Sequence, residues 1–124
     1  MAKYKEYGYD IQDGKAIIPE WETEIKEEAF WWCSELRSIE FPKWIKNIGN
    51  FAFYGCSCLT SIAIPPSVTK IGEGAFSGCN SLTKITIPPS VTEIGDWAFS
   101  RCSSLKNITI PPSVTEIGKY GSLS

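Results

Sequence analysis

The sequence predicts a repeat solenoid poor in helix: a short coil wound several times over one shared apolar core, with a parallel β-sheet along one face. Three observations predict it. Pro19, Pro42, Pro65, Pro88 and Pro111 stand 23 residues apart. On that period the apolar residues fall into fixed columns. Each unit also carries a segment whose residues alternate apolar and polar, as in a half-buried strand. A unit of this length cannot bury an apolar face alone, so neighbouring coils must share one.

The columns justify each element in turn. They are Ile25, Ile48, Ile71, Ile94 and Ile117; Ala29, Ala52, Ala75 and Ala98; Phe30, Phe53, Phe76 and Phe99; Cys33, Cys56, Cys79 and Cys102; and Leu36, Leu59, Leu82 and Leu105. Two further columns are Ile39, Ile62, Ile85 and Ile108, and Phe41, Ile64, Ile87 and Ile110. The cleanest unit runs from Ile64 to Thr86. The segment Leu82-Thr83-Lys84-Ile85-Thr86-Ile87 reads as the strand, and its copies would stack as a parallel sheet with ~4.8 Å between rungs. Pro88 and Pro89 stop that strand, because proline cannot donate to the ladder and forces its predecessor extended. Val91 and Ile94 turn inward on the opposite side. Gly95 is expected to take a positive φ in a tight turn, and Ala98-Phe99 to form one helical or 3₁₀ turn that inserts the ring. One domain, 1–124, follows, with full repeats at 19–41, 42–64, 65–87 and 88–110 and an incomplete last repeat at 111–124.

At the N-terminal end, Tyr7, Tyr9 and Ile11 alternate with Gly8, Asp10 and Gln12, and Asp13-Gly14 precedes Lys15-Ala16-Ile17-Ile18. An Asp-Gly pair between such runs suits a type I′ turn, which needs φ > 0 at both central residues. Residues 7–18 are therefore expected to form a hairpin that covers the N-terminal end of the core.

The pattern Ile64-Pro65-x-Ser67-Val68-Thr69-x-Ile71-Gly72-x-x-Ala75-Phe76-x-x-Cys79-x-Ser81-Leu82, with its copies, resembles the BspA-like leucine-rich-repeat family of treponemal and oral-bacterial surface proteins. The resemblance covers about residues 17 to 118. It implies a right-handed curved solenoid and a role as an adhesin or interaction module, at the cell surface or secreted. It implies no reaction. In the first coil Lys26 replaces the glycine and Glu22 the inward valine, as suits a terminal repeat. In the last, Gly121 and Ser122 stand where Ala-Phe is due. An end without an aromatic plug offers unpaired backbone, which makes a homo-oligomer through the C-terminal end the alternative to a binding module.

Charge and composition narrow the partner. Twelve basic and 14 acidic residues give a net charge of −2, without the basic stripe that nucleic acid requires and without a polybasic membrane anchor. Ten of the acids lie in the first 40 residues, read as a solvated face rather than a cation site. No run reaches the ~18 apolar residues of a membrane span. The start, Met1 to Gly8, lacks the apolar core of a signal peptide, which suits a cytoplasmic chain or one whose export signal has been removed.

No catalytic group set emerges. There is no histidine, which removes Ser-His-Asp and Cys-His nucleophile pairs, HExxH zinc sites and imidazole bases. Gly72-x-Gly74-x-x-x-Gly78 misses a dinucleotide fingerprint by one residue. Four cysteines share a repeat column and read as small buried hydrophobes; Cys58 lies outside it and reads as exposed. Zinc on Cys56 and Cys58 is disfavoured, since a lone C-x-C supplies two ligands. Glu20 and Glu22 lack an apolar setting that would raise a pKa. Asn107-Ile108-Thr109 matches a glycosylation acceptor but falls on a core strand and reads as chance. The sequence thus implies no enzyme, cofactor or metal.

A protein partner is expected instead. The outward residues of the strand face, Ser38, Glu40, Ser61, Ala63, Lys84, Thr86, Asn107 and Thr109, are small and mostly neutral, a poor set of anchors. The aromatic departures from the repeat are better candidates. Trp21 and Trp44 stand where later coils have serine. Trp31 and Tyr54 replace Ser77 and Ser100. Trp32 shares a column with Gly55, Gly78 and Arg101, and Phe51 and Trp97 replace Gly74. Two readings stay open: an exposed patch that marks an interaction surface, or rings that cover an end and pack under the hairpin.

Overall fold

A computed structural model of the protein describes residues 3–106 and 108–118. Its N-terminal cap begins with a single helical turn, α1 (Lys3–Glu6), followed by β1 (Asp10–Gln12) and β2 (Lys15–Ile17). The two strands pair antiparallel, with Ile11 opposite Ala16. Asp13 and Gly14 take φ of 50° and 81°, as a type I′ turn demands. The expected hairpin is present but shorter than residues 7–18: its strands span 10–12 and 15–17, and Tyr7 and Gly8 instead close α1, their N–H groups donating to the Lys3 and Lys5 carbonyls at 3.0 and 3.2 Å.

Three ladders then hold the coils together. The first contains β2 and β4 (Ser38–Glu40), parallel, with β6 (Ser61–Ala63) and β8 (Lys84–Thr86) paired farther along. These are the strands expected from the Leu-x-x-Ile-x-Ile pattern, and Ser38, Glu40, Ser61, Ala63, Lys84 and Thr86 point out to solvent as expected. The fourth copy includes Asn107, which lies outside the described residues. The second ladder is longer. Its strands are β3 (Glu24–Ile25), β5 (Asn47–Ile48), β7 (Lys70–Ile71), β9 (Glu93–Ile94) and β10 (Glu116–Ile117), all parallel with isoleucine over isoleucine. The third runs through the Ala-Phe turns. There Phe30, Phe53 and Phe76 N–H groups donate to the Ala52, Ala75 and Ala98 carbonyls at 2.7, 2.8 and 2.8 Å. These turns close by i→i−3 bonds, such as Ala75 N–H to the Gly72 carbonyl at 3.3 Å, without a regular helix.

Inside, the phenylalanines form one stack. Ring centroids of Phe30, Phe53, Phe76 and Phe99 lie 5.4, 5.2 and 5.7 Å apart, their planes nearly parallel, and all four are fully buried. Tyr4 and Tyr9 stack on Phe30 at 5.9 and 5.7 Å, so the cap supplies the rings a preceding coil would have supplied. The Tyr9 hydroxyl also donates to the Glu24 carbonyl (3.2 Å) and accepts from the Lys26 N–H (3.4 Å). It thereby satisfies backbone groups that the first rung leaves without a neighbour.

Gly95 departs from expectation: it does not lie in the positive-φ region. Its glycine answers to crowding. A Cβ there would meet the Glu73 backbone nitrogen of the preceding coil at 2.5 Å, and Gly49 is crowded in the same way by Glu27 and Ile25 at 2.7 Å. The first coil has no coil before it, which is why Lys26 is tolerated in that column. Its ammonium pairs with Glu22 at 3.6 Å and Glu24 at 3.9 Å. Glu22 is buried, contrary to the solvated setting expected of it, because it fills the inward column of Ile45, Val68 and Val91.

Gly121 and Ser122, and with them the expectation of a bare C-terminal end, lie outside the described residues.

Candidate interaction surface

The cysteine column faces the core. Cys33, Cys56, Cys79 and Cys102 are buried and free, and Cys58 is exposed. The Cys56, Cys79 and Cys102 thiols donate to the Phe30, Phe53 and Phe76 carbonyls at 3.0, 3.1 and 3.1 Å. Burial pushes all four thiols up, Cys102 to about 11 and Cys56 and Cys79 further. A thiol held protonated is neither a nucleophile nor a metal ligand, so the column is structural. Among the described residues no three His, Cys, Asp or Glu side chains gather as a metal site, and no helix is long and apolar enough to cross a membrane.

The Ala-Phe corner is different. Each of its turns needs two residues in the left-handed region. In the third coil these are Gly74 (φ 58°) and Gly78 (φ 78°), the residue type such turn positions favour. Elsewhere the same positions carry Glu28, Phe51 and Trp97 in one column, and Trp32 and Arg101 in the other, all with φ between 55° and 59°. A side chain in this region costs ~1–2 kcal/mol over glycine, and for bulky residues it is uncommon. Backbone strain of this kind concentrates at functional sites.

Five of the seven candidate residues come together at this corner. Trp31 stacks on Tyr54 with centroids 4.6 Å apart and meets Phe51 edge-on at 6.0 Å. Trp32 meets Tyr54 edge-on at 5.3 Å, and its ring covers Gly55. Phe51 leans over Gly74 in the same manner. Beyond Gly74 stands Trp97. Between Phe51 and Tyr54 on one side and Trp97 on the other, the surface dips into a cleft of about 570 Å³. Gly74 and Ser77 form its floor, and the charged residues Glu73 and Arg101 border it. The Ser77 and Ser100 hydroxyls bond to each other there at 2.7 Å.

Trp21 and Trp44 belong elsewhere. They lie in the proline turns, where Ser67 and Ser113 of later coils donate to the carbonyls of Ile45 and Val91. All five tryptophans are exposed, from 43% for Trp31 and Trp97 to 80% for Trp21. None of them packs as a core residue beneath the hairpin; that place belongs to Tyr4 and Tyr9. Sequence reasoning missed Arg101 and Glu73, whose signal was their place beside the aromatic columns. It also missed Tyr4, since nothing in the repeat extends to it.

The coil geometry agrees with known proteins. A profile described as "BspA type Leucine rich repeat region (6 copies)" matches residues 16–121. Among solved structures, a leucine-rich cell surface protein of Faecalibacterium prausnitzii is 34% identical with a TM-score of 0.68, covering 78% of this chain and 32% of its own. A leucine-rich-repeat protein of Bacteroides ovatus is 30% identical with a TM-score of 0.71, covering 89% of this chain and 35% of its own. The leucine-rich-repeat protein of T. pallidum is 30% identical with a TM-score of 0.60, covering 89% of this chain and 50% of its own. The chain thus spans a third to a half of the length of these relatives. No curated protein matches it. With matching repeats over most of its length, the chain belongs to the BspA-type leucine-rich-repeat family.

Proposed function

We propose that the chain is a non-enzymatic protein-binding module, adhesin-like or scaffolding, that works at a cell surface. Its contact surface is the corner of Trp31, Trp32, Phe51, Tyr54 and Trp97. One observation carries this reading: aromatic side chains occupy turn positions where the repeat itself uses glycine or serine, Trp32, Phe51 and Trp97 at a cost in backbone strain, and Trp31, Trp32 and Trp97 stay exposed while Phe51 and Tyr54 are half-buried among them. Core packing gives no reason for them. Aromatic anchors are the residues that dominate binding energy at protein interfaces. The cell-surface description of the Faecalibacterium relative supports the compartment.

The test is surface plasmon resonance against a panel of purified extracellular-matrix proteins. The parent chain, Trp31→Ser with Tyr54→Ser, and Trp21→Ser with Trp44→Ser are compared. The substitutions restore residues that later coils carry, so folding is retained. Binding that drops at least roughly tenfold in the first variant and stays intact in the second is expected. Equal binding by all three, or a loss confined to the second, would contradict the assignment.

A further inference from the structure

We propose that Asp10 closes the outer edge of the capping hairpin and so keeps the chain from pairing, strand to strand, with a second copy of itself. The inference is independent of the protein-binding reading above. It starts from the ladder. β1 has one neighbour, β2, and is the edge strand of its sheet. In a hairpin with a two-residue turn, the residues that flank the turn form a hydrogen-bonded pair, and such pairs alternate with open ones along the strands. Gln12 faces Lys15 across the Asp13-Gly14 turn, Ile11 faces Ala16, and Asp10 faces Ile17. The backbones of Gln12 and Asp10 therefore bond to β2, while the N–H and carbonyl of Ile11 point away from it. An outward donor and acceptor of this kind are a template for another strand.

That donor is already taken. The Ile11 N–H donates to Asp10 Oδ1 at 3.0 Å, and the Gln12 side-chain amide holds the other carboxylate oxygen, Oδ2, at 3.1 Å. Two residues back on the same side, the Tyr9 N–H goes to the Tyr4 carbonyl of α1 at 2.7 Å. The helical turn and the carboxylate thus shut the edge between them. Without the carboxylate, the edge fits itself. A second copy related by a twofold axis lies antiparallel with Ile11 opposite Ile11, and each Ile11 N–H donates to the other's carbonyl, as in any hydrogen-bonded pair. The contact is isologous and closes at two copies. It is also small, because β1 has three residues and the Tyr9 N–H stays with α1. A single carboxylate suffices to prevent so small a contact: it occupies the donor and puts a negative charge on the edge, a common guard on exposed strands.

The experiment is sedimentation velocity over a concentration series, on the parent chain, Asp10→Ala, and Asp10→Ala combined with Ile11→Pro. Thermal midpoints show whether each variant folds, and amide hydrogen exchange at Ile11 is followed in the parent and in Asp10→Ala. Asp10→Ala is expected to self-associate at least roughly tenfold more tightly than the parent, with Ile11 exchange slowing as concentration rises. Adding Ile11→Pro should return association to the parent's level, since proline has no N–H to donate and the hairpin itself does not use that group. Asp10→Ala that associates no more than the parent, or that associates without slower exchange at Ile11, would overturn the proposal. So would association that survives Ile11→Pro in a folded double variant. If the double variant does not fold, exchange at Ile11 in Asp10→Ala decides alone.

Discussion

At the scale of single residues, the fold separates what the core requires from what it tolerates. Cys102 illustrates the first. Its thiol is buried, donates to the Phe76 carbonyl at 3.1 Å, and is pushed from the ordinary 9.0 to about 11. A group whose folded pKa is raised contributes its full stability below the unfolded value, and loses it as pH climbs through the folded value. Thermal midpoints should therefore hold up to about pH 9 and fall between about pH 9 and pH 11. The decline should be shallower in Cys79→Ala; an equal slope would mean that the thiols are not what the alkaline limit reads. With a thiol reagent at neutral pH, Cys58 alone should react in the native state, and all five cysteines once urea is added. Trp97 illustrates the second kind. Its left-handed backbone favours glycine, so Trp97→Gly should leave unfolding free energy within ~1 kcal/mol of the parent.

At the scale of the element, the stacking of one turn on the next decides which substitutions matter. The Phe76 ring touches Phe53 and Phe99 at once, and Phe76→Ala should cost about 3–5 kcal/mol in urea unfolding. Gly95→Ala drives a methyl group into the Glu73 backbone and should cost ~1–3 kcal/mol. Lys26→Ala, in the same column of the first coil, lacks that clash and should cost far less. Equal costs at the two positions would refute the crowding argument. The Leu-x-x-Ile-x-Ile strands and the Asp13-Gly14 hairpin were legible in the sequence because each follows from a local rule of alternation or turn chemistry. The Thr-x-Ile ladder was less so. Two residues per coil are too few to show a period, and their pairing depends on coil-to-coil register. Gly95 misled for a related reason: a glycine selected by a neighbour's backbone looks the same in sequence as one selected by its own φ.

At the scale of the whole molecule, the coils share one apolar spine, closed at the N-terminal end by Tyr4 and Tyr9, and the aromatic surplus lies outside it. The repeat columns revealed that surplus, because a departure from a periodic pattern is visible without coordinates. They did not reveal that five of the departures converge on one corner, or that Trp21 and Trp44 lie apart, since this depends on how the coil turns. The central claim is that no tryptophan belongs to the core. Acrylamide quenching of native tryptophan fluorescence tests it most directly. The account expects red-shifted emission and quenching of the whole signal, with no protected fraction. A blue-shifted band that acrylamide does not reach would place tryptophan inside the spine and contradict it.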